Sequence, residues 1–353
     1  MSGTSMDAID VAICEIKGAG PGARVHLRSF RSFDYSPELA SRLRNLESTV
    51  RELAEVNILV AEEFALAVAA ASEELGLDLV GSHGQTVYHY SSMPGALKAT
   101  LQVGDGDVIA ERLAIPVVSD FRMGDIAAGG EGAPLTPYAD FVLFGARPGL
   151  AVLNLGGIAN LTILDRELSD VTGYDTGPAN APLDWIARAE FGIAFDRDGE
   201  IARSGEPRPG LVEELVRADA FVAQTPPKST GSEVYGALFV ERLREHSGAS
   251  GADLLRLATE FVVASIACQV PPHVQELVLA GGGSANRFLR ELLESRLPDR
   301  KVAVSDDHGI PFRAREAMAF AILANDTVCG LATSLPAVTG ARRTRALGKL
   351  SLP

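Results

Sequence analysis

Three glycine-bearing turns, each beside a strand-like apolar segment, constrain the fold of this chain more than any other feature. They are Ser2-Gly3-Thr4-Ser5, Gly156-Gly157 and Gly281-Gly282-Gly283. Free backbone N–H groups can gather at such turns and surround an anion. One glycine after a strand is usually only a tight turn, but three of them in an α/β chain favour a bound nucleotide. The P-loop pattern is absent and no G-x-G-x-x-G opens a helix, which disfavours the common nucleotide folds.

Each half of the chain begins with two strands joined by a turn and continues into helices. We predict a strand from Ile9 to Ile16 and a return strand from Val25, and "AVLNLGGIANLTIL" from Ala151 has the same arrangement without residue-level similarity. At 353 residues the chain exceeds what one core usually supports, so two lobes are expected. The predicted divisions are an N-terminal lobe (1–145), a C-terminal lobe (146–335) and a tail (336–353).

The charge balance restricts the partners. The net charge is −14, from 32 Lys and Arg against 46 Asp and Glu. It argues against nucleic acid or an anionic membrane as a partner, and an anionic substrate would need a local arginine. Three widely spaced cysteines, together with the lack of a bilayer-length apolar run and of an N-terminal signal pattern, predict a cytoplasmic protein.

The segment "GYDTGPANAPLDWIA" holds a candidate catalytic carboxylate. Asn180 is typical of a helix N-cap and Pro182 suits a first turn, so we predict a helix from Asn180 to about Phe191. This places Asp184 in the first turn, where the helix dipole favours an ionised carboxylate. Asp184 is then either a functional base or only a complement to the dipole, and this stretch leaves both readings open.

Two further segments place polar residues at strand ends. "GSHGQT" brackets His83 and Gln85 with glycines, and "SDFRMGDIAAGGEGAPLTP" sets Arg122 beside a glycine-rich loop. His83 is either structural or functional, and Arg122 is either half of an ordinary Asp–Arg pair or the cation for an anionic substrate. Glu316 lies in the apolar context "REAMAFAIL". We expect Arg315 to pair elsewhere and Glu316 to face a cleft.

Taken in order, these segments resemble one family, the anhydro-N-acetylmuramic acid kinases. The matching stretches run from the first residue to the last: "MSGTSMDAIDVAI", "GSHGQTVYH", "SDFRMGDIAAGGEGAPLTP", "AVLNLGGIANLT", "GYDTGPANAPLDW", "PKSTGSEVYG", "LAGGGSANRFL", "GIPFRAREAMAFAILA" and "VTGARRTRALG". The resemblance implies a two-lobed α/β fold similar to hexokinase and actin, with mixed sheets, flanking helices and an interlobe cleft.

The resemblance also implies a reaction. ATP, with Mg²⁺, would phosphorylate O6 of 1,6-anhydro-N-acetylmuramic acid while water opens the anhydro bridge, giving N-acetylmuramic acid 6-phosphate and ADP in cell-wall sugar recycling. The alternatives are a kinase of the same fold for another sugar, and a non-catalytic ATP-gated protein, which would not need Asp184 and Glu316. A homodimer is one option for the oligomeric state, which the sequence leaves open together with the metal ligands.

Residue roles follow from the resemblance and from charge. Asp184 would remove a proton from the water that attacks C1. His83, Gln85 and Glu316 would orient the sugar, and Arg122 would meet its lactyl carboxylate or a phosphate. The N-terminal turn and the two other glycine clusters would contact ATP: Gly3, Thr4, Ser5, Met6, Asp7, Ala8, Ile9, Asp10, Gly156, Gly157, Gly281, Gly282 and Gly283.

Three departures from the family pattern stand out. The family has a short apolar strand before the Ser-Gly-Thr-Ser turn, whereas only Met1 precedes it here. The expectation we favour is that an N-terminal segment has been lost from the sequence. A sheet that truly lacked this inner strand would have uncovered strand edges. Ala8 stands where glycine is usual. Glu131 stands where we expect glutamine.

Overall fold

The computed structural model describes residues 1–2, 8–46, 49–72, 75–90, 97–226 and 228–353. It divides into two compact units, one formed by residues 1–145 with 314–353 and the other by residues 146–313. The predicted boundary near residue 145 coincides with this division. The predicted end of the second lobe does not, because the chain after residue 313 packs in the first unit, where its main helix lies against the first strand.

The first unit combines short sheets with helices. The elements are numbered along the chain. Its strands are β1 (Ile9–Lys17), β2 (Arg24–Phe33), β3 (Val80–Gly81), β4 (Gln85–Tyr90), β5 (Ala99–Val103), β6 (Val117–Ser119) and β12 (Lys349–Ser351). Its helices are α1 (Pro37–Arg44), α2 (Val50–Ala71), α3 (Gly106–Leu113), α4 (Phe121–Ala127), α5 (Thr136–Phe144), α13 (Arg315–Val328) and α14 (Pro336–Thr339).

The predicted N-terminal hairpin is confirmed. β1 and β2 pair antiparallel with Ile9 opposite Phe33, and the inward residues of β1 alternate with half-buried ones. Met1 and Asp10 exchange two backbone hydrogen bonds, each 2.8 Å from nitrogen to oxygen. Since both polar groups of one strand residue point to the same edge, Met1 lies on the edge of β1 away from β2.

Strand pairing in the rest of the first unit is mixed. β3 runs parallel to β6, β12 runs antiparallel to β6, and β4 and β5 form a separate antiparallel hairpin. Helix α13 packs against both β1 and β3. The apolar faces of β1 and α2 meet in one core, which includes Ile9, Val11, Val56 and Val60.

The second unit is built on a sheet in the order β11-β10-β7-β8-β9. Its strands are β7 (Leu150–Leu155), β8 (Ile158–Ile163), β9 (Thr172–Pro178), β10 (Glu276–Ala280) and β11 (Lys301–Val304). Its helices are α6 (Asn180–Phe191), α7 (Glu200–Ser204), α8 (Pro209–Ala218), α9 (Ser232–Tyr235), α10 (Ala237–Ser247), α11 (Gly251–Ala267) and α12 (Arg287–Arg296). Short 3-10 turns occur at Leu168–Asp170, Arg197–Gly199, Gly282–Ala285 and Ser305–His308, and at Gly20–Gly22 in the first unit.

The register of this sheet brings two glycine turns to one edge. β7 and β10 run parallel with Asn154 opposite Ala280, so both strands end at the same edge. The Gly156-Gly157 turn follows β7 and joins it to the antiparallel β8, as predicted, and Gly281 follows β10. One face of the sheet packs Leu153, Leu155 and their neighbours against the helices.

These features confirm the α/β class, with mixed sheets and flanking helices, that the sequence predicts. Each unit buries a core of its own. In the described part of the chain, no helix combines the length and the apolar character that a bilayer crossing requires.

The contact between β3 and α13 permits a stability prediction. A Cβ at Gly81 would lie 2.4 Å from the Phe320 carbonyl oxygen and 2.9 Å from the Ala324 Cβ. Gly81→Ala should therefore push the strand and the helix apart and lower the unfolding free energy by about 1–3 kcal/mol. Thermal melting measures this. Gly22→Ala is the control, since a Cβ there meets nothing within 4 Å, and equal melting of the two variants would contradict the packing described.

Candidate active site

The residues on both sides of the predicted N-terminal turn are held by hydrogen bonds and by burial. Gly3, Thr4, Ser5, Met6 and Asp7 lie outside the described residues. On one side the Ser2 hydroxyl lies 2.6 Å from Oε1 of Gln85 and 2.9 Å from the Ala8 carbonyl oxygen. On the other side Ile9 is buried in the core, and the Ser32 hydroxyl donates to Oδ1 of Asp10 over 2.6 Å. The segments that flank the predicted phosphate turn are thus fixed to the sheet.

Gln85 acts within this anchor. It is fully buried at the start of β4, and its Oε1 also accepts the Tyr35 hydroxyl at 3.3 Å. Its Nε2 donates to the Thr86 carbonyl oxygen at 3.1 Å. Because both ends of the amide bind protein groups, Gln85 holds Ser2 in place next to the turn.

His83 and Arg122 form one unit at the ends of β3 and β6. Nε of Arg122 donates to Nε2 of His83 over 3.0 Å, and Nδ1 of His83 lies 2.9 Å from the Gly84 carbonyl oxygen. Burial lowers the pKa of His83 well below its ordinary value, so the imidazole is neutral, with Nε2 as the acceptor. Both ring nitrogens are engaged, and His83 therefore holds the guanidinium.

Arg122 is not half of an ordinary Asp–Arg pair. Its Nη1 donates to the Gly132 carbonyl oxygen at 2.8 Å. Asp120 pairs instead with Lys349, and burial lowers the pKa of the Arg122 guanidinium. Within the described residues Nη2 of Arg122 has no hydrogen-bond partner. A positive donor is left available for an anionic or polar ligand.

The glycine-rich loop beside Arg122 is held by a buried carboxylate. Oδ2 of Asp125 accepts the Gly132 N–H at 2.8 Å, and Oδ1 accepts the Thr339 hydroxyl at 2.7 Å. A Cβ at Gly130 would lie 2.1 Å from Asp125, so only glycine fits there. Glu131, the departure from the expected glutamine, forms an ion pair with Lys98, and this cation accounts for the acidic residue.

Glu316 lies on the first turn of α13. Arg315 pairs elsewhere, as predicted, with Asp140 of α5. Glu316 forms no hydrogen bond or ion pair with the described residues. Burial raises its pKa, while the positive charges of Arg315 and Arg122 act to lower it and Asp10 acts to raise it. The first unit thus brings Glu316 near Arg122 and near the start of β1.

In the second unit the Gly156-Gly157 turn accepts hydrogen bonds from the start of helix α6. The Asn180 N–H donates to the Gly156 carbonyl oxygen at 2.9 Å, and the Ala181 N–H donates to that of Gly157 at 3.1 Å. The predicted N-cap role of Asn180 is wrong, since the helix begins at Asn180 after Ala179. The side chain is used differently: its Nδ2 donates to the Leu155 carbonyl oxygen at 3.0 Å.

Gly281, Gly282 and Gly283 lie against the same turn. Gly281 has a φ of +76°, and a Cβ there would lie 2.8 Å from Oδ1 of Asn154. A Cβ at Gly283 would lie 2.8 Å from Oδ1 of Asn180 and from the Leu155 Cβ. A Cβ at Gly282 would meet nothing within 4 Å. Backbone from two strand ends and one helix start therefore converges at a glycine-rich surface that Asn154 and Asn180 border, and such a surface suits phosphate.

Asp184 lies four residues after the start of α6 and is half-buried. The prediction that it occupies the first turn is wrong by one position, because the helix starts at Asn180 and its first turn holds no acidic residue. Since the dipole effect falls off within the first turn, Asp184 receives little of it. Nη2 of Arg188, one turn further on, lies 4.0 Å from Oδ2 of Asp184.

Comparison with known proteins decides the family. The family model described as anhydro-N-acetylmuramic acid kinase matches residues 1–352. The chain belongs to the anhydro-N-acetylmuramic acid kinase family. A relative of that name from Caldanaerobacter subterraneus subsp. tengcongensis is 38% identical over 379 residues, which cover 100% of this chain and 96% of the relative. Another, from Salinibacter ruber, is 38% identical over 378 residues, with 100% and 95% covered.

Two solved structures are similar at a lower level. A ROK family glucokinase from Streptomyces griseus, in complex with glucose and AMPPNP, is 12% identical and covers 90% of this chain and 99% of its own, with a TM-score of 0.39. Component A of the (R)-2-hydroxyglutaryl-CoA dehydratase from Acidaminococcus fermentans is 13% identical, with the same coverage and a TM-score of 0.42. The family assignment depends on the sequence relatives and not on these two proteins.

Sequence reasoning missed the residues that hold others in place. Asp140 lies in the apolar stretch "YADFVLF", and a lone carboxylate in such a helix signals a buried ion pair. Asp125 could be found in the same way only with knowledge of the loop that it binds. The hydrogen bond from the Asn180 side chain to the Leu155 carbonyl oxygen could not be predicted from the sequence, because an asparagine at a helix start usually caps the helix.

The glycine cluster of the second unit provides a matched test. Gly283→Ala should displace Asn180 and Leu155 and lower the unfolding free energy by about 1–3 kcal/mol. Gly282→Ala should leave it unchanged, because a Cβ there enters open space. Differential scanning calorimetry of both variants separates the two positions. A Gly283→Ala protein as stable as the Gly282→Ala protein would overturn the convergence of α6 with the glycines.

Proposed function

We propose that this chain is an ATP-dependent kinase of 1,6-anhydro-N-acetylmuramic acid that acts in the recycling of cell-wall sugars in the cytoplasm. Full-length similarity to relatives of that name carries the proposal. The products would be N-acetylmuramic acid 6-phosphate and ADP. The converging turns of the second unit support the use of ATP.

The nucleotide would lie against backbone rather than side chains. In the second unit Gly156, Gly157 and Gly281 to Gly283 would line it, and in the first unit the turn that ends at Asp10 would contact its phosphates. Within the described residues, no group of three or more His, Cys, Asp and Glu side chains converges. Mg²⁺ carried by ATP does not need such a group, since phosphates and water supply most of its ligands. The ion would offset charge on the transferred phosphoryl group.

The chemistry of the substrate dictates the reaction. O6 of the anhydro-sugar is bonded to C1, so no free 6-hydroxyl exists to be phosphorylated. Water must attack C1 and lose a proton, for which Asp184 is the proposed acceptor. The electron pair of the C1–O6 bond then passes to O6, which attacks the γ-phosphorus as ADP leaves. Because phosphorus captures O6, no strong acid needs to protonate it, in contrast with an inverting glycosidase.

The first unit would supply the polar groups for the sugar. Glu316, with a carboxylate that binds no described residue, would accept hydrogen bonds from hydroxyl groups. Nη2 of Arg122 would meet the lactyl carboxylate or a phosphate. We assign to His83 the positioning of Arg122 and to Gln85 the anchoring of the N-terminal turn, since the ring nitrogens of His83 and the amide of Gln85 are engaged with protein groups.

The function is tested with the anhydro-sugar, ATP and Mg²⁺ in water enriched in ¹⁸O, followed at once by borohydride reduction to stop exchange at C1. Mass spectrometry should find ADP and a 6-phosphorylated sugar with ¹⁸O at C1 and none in the phosphoryl group. Inorganic phosphate that carries ¹⁸O, without sugar phosphate, would indicate an ATPase. A phosphorylated sugar that keeps its anhydro bridge would indicate a kinase of an ordinary hydroxyl. Either result would overturn the proposal.

The role of Asp184 is tested by Asp184→Asn, which keeps the size of the side chain and removes the proton acceptor. We expect kcat to fall by about 10²–10⁴-fold while ATP binding, measured by calorimetry, is unchanged. Glu190→Gln is the matched control, because Glu190 lies on the same helix and, among the described residues, its carboxylate binds Arg244 and the Gly251 N–H and no others. Turnover of Asp184→Asn close to that of the control would remove Asp184 from the mechanism.

A further inference from the structure

The start of helix α13 is fixed by a buried ion pair rather than by a cap. Nε of Arg315 donates to Oδ1 of Asp140 over 2.7 Å, and Nη2 of Arg315 binds Oδ2 of the same carboxylate. Arg315 is 1% exposed and Asp140 is 0% exposed. The residue before the helix, Ala314, offers no side-chain hydrogen bond to the first turn. The contact with α5 therefore sets the orientation of this turn.

Such a pair is poorly explained by stability alone. Two charges lose their hydration when they are buried, and their attraction often does no more than offset that loss. Apolar residues of similar volume would pack these helices as well. The bidentate geometry does, however, fix one rotation of the helix start. Glu316 is the next residue, so the same geometry fixes the direction in which its side chain leaves the helix.

We propose that Asp140 is a positioning residue for the reaction, which keeps Arg315 engaged so that the neighbouring carboxylate of Glu316 remains available to the sugar. This role rests on the proposed function of Glu316. Arg315 and Glu316 are adjacent in the chain, and the Arg315 charge already acts on Glu316. An Arg315 that loses the Asp140 carboxylate would be drawn more strongly towards Glu316. Glu316 itself binds no described residue, so it would be the residue captured.

The charged groups around Glu316 determine how its pKa would respond. Among the described residues they are Arg315 on its own helix, Arg122 from α4, Asp10 from β1 and the amino group of Met1. Burial raises the pKa of Glu316, and Arg315 acts against this. A closer Arg315 would stabilise the ionised carboxylate and lower the pKa further. Loss of the Arg315 charge would raise it.

The experiment compares Asp140→Asn with the double variant Asp140→Asn/Arg315→Gln. The pKa of Glu316 is read by NMR of protein labelled with ¹³C at the glutamate carboxyl carbon, with Glu316→Gln to assign its signal. We expect the pKa to fall in the single variant, because Arg315 turns to Glu316. In the double variant we expect it to return to the wild-type value or above, because the competing cation is gone.

A purely structural role gives a different pattern. If the ion pair only stabilised the unit, both variants would loosen it, hydrate Glu316 and lower its pKa together. A fall in the double variant as large as in the single one would overturn the proposal. An unchanged pKa in the single variant would also overturn it.

Asp326→Asn is the matched control. Asp326 is 0% exposed, lies on the same helix and accepts the Tyr138 hydroxyl at 2.7 Å, so it also links α13 to α5. It lies ten residues from Glu316, which is about 15 Å along a helix. This variant should lower the melting temperature and leave the pKa of Glu316 unchanged. A changed pKa here would show that general loosening explains the shift.

Turnover gives a second measurement. With the anhydro-sugar and ATP, kcat of Asp140→Asn should fall by about 10- to 100-fold, since a misplacement of about 1 Å at a reacting group can cost ~10²-fold. The double variant should recover part of this loss of kcat. If it recovers none, capture of Glu316 by Arg315 is not the cause of the loss. A wild-type protein without turnover would refute the proposed function, whereas the NMR comparison would still decide whether Asp140 controls Arg315.

Discussion

The parallel pairing of β7 with β10 is the constraint on which the second unit depends. Parallel neighbours end at the same edge of a sheet, so the register of Asn154 with Ala280 places two glycine turns side by side. Helix α6 then starts at this edge, because the backbone carbonyls of Gly156 and Gly157 accept its first N–H groups. The position of Asp184 follows from that docking.

Much of this could be predicted from the sequence, because the governing signals are local. Apolar strands around Gly156-Gly157 and before Gly281 are evident from composition and turn residues, and so is the hairpin of β1 and β2. β9 was not predicted, since "TGYDTGP" contains two glycines and a proline and owes its strand form to pairing with β8. The packing of α13 in the first unit was also missed, because contacts distant in sequence decide it.

Some residues of the candidate site are available to a ligand and others hold them in place, and a sequence motif does not distinguish the two groups. His83 and Gln85 stand in a glycine-bracketed segment typical of ligand contact, yet the structure gives them protein partners, Arg122 for one and Ser2 for the other. His83 and Arg122 are 39 residues apart in the sequence, and Gln85 and Ser2 are 83 residues apart. Sequence patterns thus identify the region of the site, whereas only the fold separates the groups that meet a ligand from those that hold them.

The contact between Gly81 and the Phe320 carbonyl limits how this protein can be redesigned. β3 leads into His83, and α13 carries Glu316, while the rings of His83 and Phe320 lie 4.6 Å apart. With no space for a methyl group between strand and helix, any larger residue at position 81 would force the two elements apart and disturb both segments at once. An engineer who wishes to alter this region must therefore exchange side chains at the ends of the strand and the helix, because their spacing is already at its lower limit.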